Sequence, residues 1–172
     1  MQPSLPGFEE AINIALIWCN AWEKGELSDE VLADKVAELL ESPDGSRGFF
    51  AVSLSSDFTL LDRLPDALLI KLRDEGERVI DLIVKNMAMS SAMAIHHKRE
   101  SKPDQQQGSE RIKERCIELL RLLEPSLVKK ILEKLLESLF GEGEYSVFLK
   151  RWEYDKEQKV AISNSIISIA EK

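Results

Sequence analysis

The sequence predicts an all-α fold, a single domain built as a multi-helix bundle of about six to eight helices, with a long central helix over roughly 65–99. Three observations carry this. Apolar residues recur at helical spacing along most of the 172 residues, so each segment offers a stripe that can face a core. Pro and Gly mark most of the segment ends. The one run of alternating pattern sets Phe50, Val52 and Leu54 against Ala51, Ser53 and Ser55. A lone strand would leave its hydrogen bonds unmet, so a short helix over 47–55 is expected there instead.

Pro3, Pro6 and Gly7 keep the start irregular, and Ala11 to Trp22 is apolar except for Asn13 and Asn20. One stripe runs through Phe8, Ile12, Ala15, Leu16, Cys19 and Trp22, a second through Ile14, Ile17, Trp18 and Ala21. A helix apolar on two sides belongs at the centre of a bundle or against a partner subunit. Ile14, Ile17, Trp18 and Trp22 are therefore the candidate interface, with a second copy of the chain as the expected partner. Gly25 ends this helix. Ser28 then caps the next, with Asp29 and Glu30 in a favourable first turn. Ser42-Pro43-Asp44-Gly45 reads as a turn, and a further turn or helix is expected over 57–63.

Pro65 suits a first helical turn. From Leu68 through Leu72, Gly76, Val79, Ile83, Met87, Ser90 and Ala94 a single stripe stays in phase. This predicts one helix over 65–99, bent at Gly76, with two consecutive helices as the alternative. Its Arg78–Arg99 part carries both histidines and the three methionines Met87, Met89 and Met93, and is expected to be buried on more than one side, with Ala11–Trp22 as its neighbour. Ser101–Ser109 is polar, holds Pro103 and Gly108, and reads as a flexible linker. Ile112, Cys116, Leu119, Leu120 and Leu123 face inward on the following helix. Pro125 starts another, with Val128, Ile131, Leu132, Leu135, Leu136 and Leu139 inward. Tyr145–Trp152 and Val160–Ala170 close the fold.

With 44% apolar and 31% charged residues, the chain has the make-up of a globular protein able to bury its own core. All of the net charge of −8 lies in the first 45 residues, where ten acids face two bases. An acidic end repels phosphates, so nucleic acid is not an expected partner. Cys19 and Cys116 sit singly on apolar stripes and read as free thiols of a reducing compartment. No secretory leader pattern and no membrane-spanning stretch is visible, and a cytoplasmic location is expected.

The candidate ligand-binding residues form two groups, one comprising Arg47, Ser53 and Asp57 near Gly48, the other His96, His97 and Arg99 at a helix C-terminus. Either group can receive an anion or a small molecule. The second equally suits a structural role, as a cationic last turn that complements the helix dipole and meets the acidic N-terminal helices. No metal is expected, because adjacent helical residues point about 100° apart and no third ligand joins the histidines. No cofactor loop, catalytic triad motif or matched carboxylate pair is present, and no catalytic residue is assigned. The expected function is a non-enzymatic helical protein acting through protein–protein contacts as a homo-oligomer. The alternative is a small-molecule or anion-binding regulator using Met87–Arg99 or Arg47–Asp57.

Overall fold

Local signals start most of the helices in the computed structural model, which describes residues 4–170. Nine helices are found among them and no strand: α1 (Phe8–Glu23), α2 (Asp29–Leu39), α3 (Pro43–Ser55), α4 (Asp66–Asp74), α5 (Glu77–Arg99), α6 (Pro103–Leu122), α7 (Pro125–Leu139), α8 (Ser146–Arg151) and α9 (Lys156–Ala170). The Ser28 hydroxyl accepts from the Val31 N–H at 3.2 Å and opens α2. Pro125 stands in the first turn of α7, where the Glu124 carboxylate accepts from the Ser126 N–H at 3.2 Å.

Several boundaries differ from the sequence reading, and α9 starts at Lys156 rather than Val160. Ser42–Gly45 is the start of α3 rather than a turn. Ser42 accepts from the Gly45 N–H at 3.0 Å, and Pro43, which has no N–H, suits a first helical position where none is needed. The expected helix over 65–99 is two helices, because Gly76 adopts φ +63°. A left-handed residue redirects the chain, and glycine does this at little steric cost. Residues 103–109, expected to be a flexible linker, are the first two turns of α6. Pro103 fits its first turn, Asp104 favours the dipole, and Gln106 donates to Glu110 one turn on at 3.1 Å.

The helices gather in two compact units, one up to Val79 and one from Ile80, with the seam in the first turn of α5. In the first unit, α1 packs most extensively on α3 and α2 on α4. Ala11, Ala15, Cys19 and Trp22 form the buried face of α1. Gly48 of α3 lies so close that a Cβ there would fall 2.5 Å from the Ala11 Cβ. Small residues on both helices allow this approach. It draws the axes together and leaves Leu16, expected to face inward, 42% exposed. Phe49 and Phe50 fill the centre edge to face, with ring centroids 5.0 Å apart. Arg78 closes this unit by donating to the Leu40 carbonyl, to Ser46 Oγ at 3.0 Å and to Glu75 at 2.6 Å.

In the second unit, α5 has buried residues over more than half its circumference, among them Ile80, Ile83, Val84, Met87, Ala88 and Ala92. Its hydrogen-bonded neighbour is α9. The Ser91 and Ser165 hydroxyls meet at 2.7 Å, and Gln158 donates to the Ala92 carbonyl at 3.2 Å. Cys116, Leu119 and Leu120 of α6 and Ile131, Leu135 and Leu139 of α7 complete the core.

Candidate functional site

Helix α3 separates the first group of sequence candidates. Arg47 lies on its exposed side, 3.3 Å from Asp44 and with its guanidinium 4.5 Å from the centre of the Phe8 ring. Ser53 is fully buried on another side, and Asp57 stands exposed in the loop beyond the Ser56 cap. Six residues of helix turn Ser53 about 240° away from Arg47, so the three do not converge on one ligand.

The second group does sit together, at the C-terminal end of α5. The His96 and His97 rings meet edge to face with centroids 5.6 Å apart. Arg99 holds Asp155 through two hydrogen bonds of 2.6 and 3.2 Å, and reaches Glu157 at 3.4 Å. Its acidic partners are therefore residues at the start of α9. The Arg99 hydrogen bonds hold the Asp155 carboxyl down to about 2. Among the described residues no group of three or more His, Cys, Asp or Glu is arranged to hold a metal.

The candidate interface divides in the same way. Trp22 is buried, donates to Asp29 at 2.8 Å and stacks under the Arg63 guanidinium at 4.4 Å. Trp18 is half-buried beneath the Lys35 ammonium of α2 at 4.9 Å, and Ile14 is half-buried. Ile17 is 63% exposed and, with Leu16, forms the outward apolar edge of α1. The first stripe thus packs inward through Ala15, Cys19 and Trp22, while the second stays half-buried or exposed.

A larger apolar surface lies in the second unit, where α6, α7 and α9 leave an open groove of about 490 Å³. Leu120, Leu123, Val128 and Leu132 form its floor, and Leu136 and Ile169 stand at its sides. Val128, Leu132 and Leu136 follow one another every fourth residue along α7, the first two buried in the groove floor. Leu136 remains 41% exposed. Arg121 borders the groove and is held in place: it donates to the Ser168 and Ile169 carbonyls, which the C-terminus of α9 leaves open, and pairs with Glu118 at 2.5 Å. On the α7 side the border carries Lys129 and Glu133. These are one turn apart, yet among the described residues neither has an ion-pair partner. A lysine preceding a glutamate is the weaker order for such a pair. The sequence held a signal of this groove. Val128, Ile131, Leu132, Leu135, Leu136 and Leu139 span too wide an arc for one neighbour to cover.

Fold and groove together define an all-α helical protein with an open apolar groove. The model of a family described as "Uncharacterised conserved protein UCP020893" matches residues 7–169, and the chain belongs to that family. Among curated proteins and solved structures none matches.

Proposed function

We propose that the protein acts without catalysis, through protein–protein contact, by pairing with a second copy of itself across the α6–α7–α9 groove. The observation that carries this is the exposed Leu136 beside a groove floor of Val128 and Leu132, flanked by Lys129 and Glu133, which have no ion-pair partner among the described residues. Two such helices set antiparallel about a two-fold axis at Leu132 place the exposed Leu136 of each copy over the groove floor at Val128 of the other. Residues on the same flank of both helices then face each other. Lys129 of each copy meets Glu133 of its mate, so one contact is made twice and every charge finds its opposite. The apolar contact supplies the affinity and the charges select the register.

The reading takes the protein to work in a reducing, cytoplasmic setting. It is supported by the free, buried thiols Cys19 and Cys116, and no helix among the described residues is long and apolar enough to cross a membrane. Sedimentation velocity over a range of concentrations tests the pairing. A dimer is expected for the wild type, with dissociation for Leu136→Glu and for Lys129→Glu or Glu133→Lys alone. The double exchange Lys129→Glu/Glu133→Lys restores it. A wild-type monomer at every concentration, or charge variants that sediment like the wild type, overturns the reading.

A further inference from the structure

A second depression, of about 690 Å³, opens in the same unit where the end of α7, α8 and the start of α9 meet. One side is apolar, formed by Leu139, Phe140 and Leu149; the other carries Lys150, Lys156 and Lys159. Lys150 has an exposed partner, Glu142, at 3.1 Å. Lys156 and Lys159 have none among the described residues. The acids beside Lys156 in the chain, Asp155 and Glu157, both turn to Arg99. A base in the first turn of α9 is opposed by the helix dipole. Lys156, exposed to solvent, thus has no fixed counter-charge among the described residues.

Tyr154 adds an independent sign. It lines the pocket with only 9% of its surface exposed, and its hydroxyl has no hydrogen-bond partner among the described residues. Most of the ring is buried, while the hydroxyl itself stays accessible from the pocket and can donate to a group bound there. Burial pushes the phenol up to about 12, so at neutral pH it is protonated and free to donate. Three lysines and two glutamates, Glu142 and Glu153, line the pocket, a balance of one positive charge that suits a monoanion better than a dianionic phosphate.

We propose that this pocket binds a small carboxylate with an apolar body, its head group accepting from Lys156, Lys159 and the Tyr154 hydroxyl and its body lying on Leu139, Phe140 and Leu149. The site is separate from the self-association groove and does not depend on it. Isothermal titration of the full chain with octanoate tests it, alongside 1-octanol as the neutral isostere and inorganic phosphate as the competing anion. Octanoate is expected to bind in one-to-one ratio and 1-octanol at least about tenfold more weakly. Lys156→Gln/Lys159→Gln is expected to weaken octanoate by about tenfold or more, since charge-assisted hydrogen bonds are the strong ones. Tyr154→Phe is expected to weaken it severalfold, and Lys129→Glu, in the other groove, to leave it unchanged. Circular dichroism confirms that each variant is folded. No binding of octanoate by the wild type, equal binding of 1-octanol, undiminished binding by the folded double lysine variant, or displacement of octanoate by equimolar phosphate each overturns the proposal.

Discussion

The close approach of α1 and α3 makes a prediction whose sign follows from competing magnitudes. Alanine in place of glycine inside a helix is ordinarily worth about 1 kcal/mol of stability. At Gly48 the new methyl carbon would lie 2.5 Å from the Ala11 Cβ, 3.0 Å from the Ile12 backbone nitrogen and 3.1 Å from the Ala11 carbonyl carbon. Carbon atoms prefer about 3.5–4.0 Å, so the helices must separate by about 1 Å where they pack most tightly. None of the three atoms can rotate away. Overpacking of this kind costs about 1–3 kcal/mol, and contact with backbone puts it at the upper end. Gly48→Ala should then destabilise by about 2 kcal/mol net, once the propensity gain is subtracted. Gly108 of α6 is the control, since a Cβ there meets nothing within 4 Å. Gly108→Ala should stabilise by up to about 1 kcal/mol. With a shift of about 2–4 °C per kcal/mol for a chain of this size, thermal unfolding followed by far-ultraviolet circular dichroism should move down for the first variant and up for the second. Ala11→Gly in the Gly48→Ala background should show favourable coupling, because it removes one partner of the clash. A Gly48→Ala protein as stable as the wild type would refute the close packing of α1 on α3.

Asp155 is held at about 2 by Arg99, below its ordinary value. The interaction therefore favours the fold above the unfolded carboxyl value and is lost as pH falls through about 2. A carbon-detected NMR titration of Arg99→Ala should show the Asp155 value rising towards the ordinary carboxylate range; an unchanged value removes Arg99 as the cause. Burial pushes the Cys19 thiol up to about 12, with help from Glu23, and raises that of Cys116 as well. Neither thiol should react with a disulfide reagent at neutral pH until the chain unfolds, and a fast native-state reaction at either position contradicts its burial. Phe49 is fully buried, so Phe49→Ala should cost about 3–5 kcal/mol in urea unfolding. A loss under about 1 kcal/mol would mean that the first unit has no packed centre there.

Much of the helix content was legible without coordinates because it rests on neighbours in the chain. Ser28 caps α2 and Pro125 starts α7 through contacts two or three residues long. The apolar stripes of α5, α6 and α7 likewise fix which sides turn inward. Polarity was misleading at 103–109, since a solvent-facing helical turn has the same composition as a linker. Periodicity misled at Gly76 for a different reason. A stripe can keep its phase across a left-handed residue while the axis changes direction, and only the backbone records the turn.

The candidate site shows the same division. That α7 carries two adjoining apolar ridges is written in its spacing, as is the placement of Lys129 and Glu133 one turn apart. That Leu136 stays exposed depends on where α6 and α9 come to rest, and that follows from packing across many tens of residues. The pairing of Arg99 with Asp155 and the burial of Tyr154 beside Lys156 and Lys159 are of this second kind. Local propensity and pattern act over a few residues and determine the helices. The surfaces those helices leave open arise from contacts between distant segments, and the tertiary structure alone decides them.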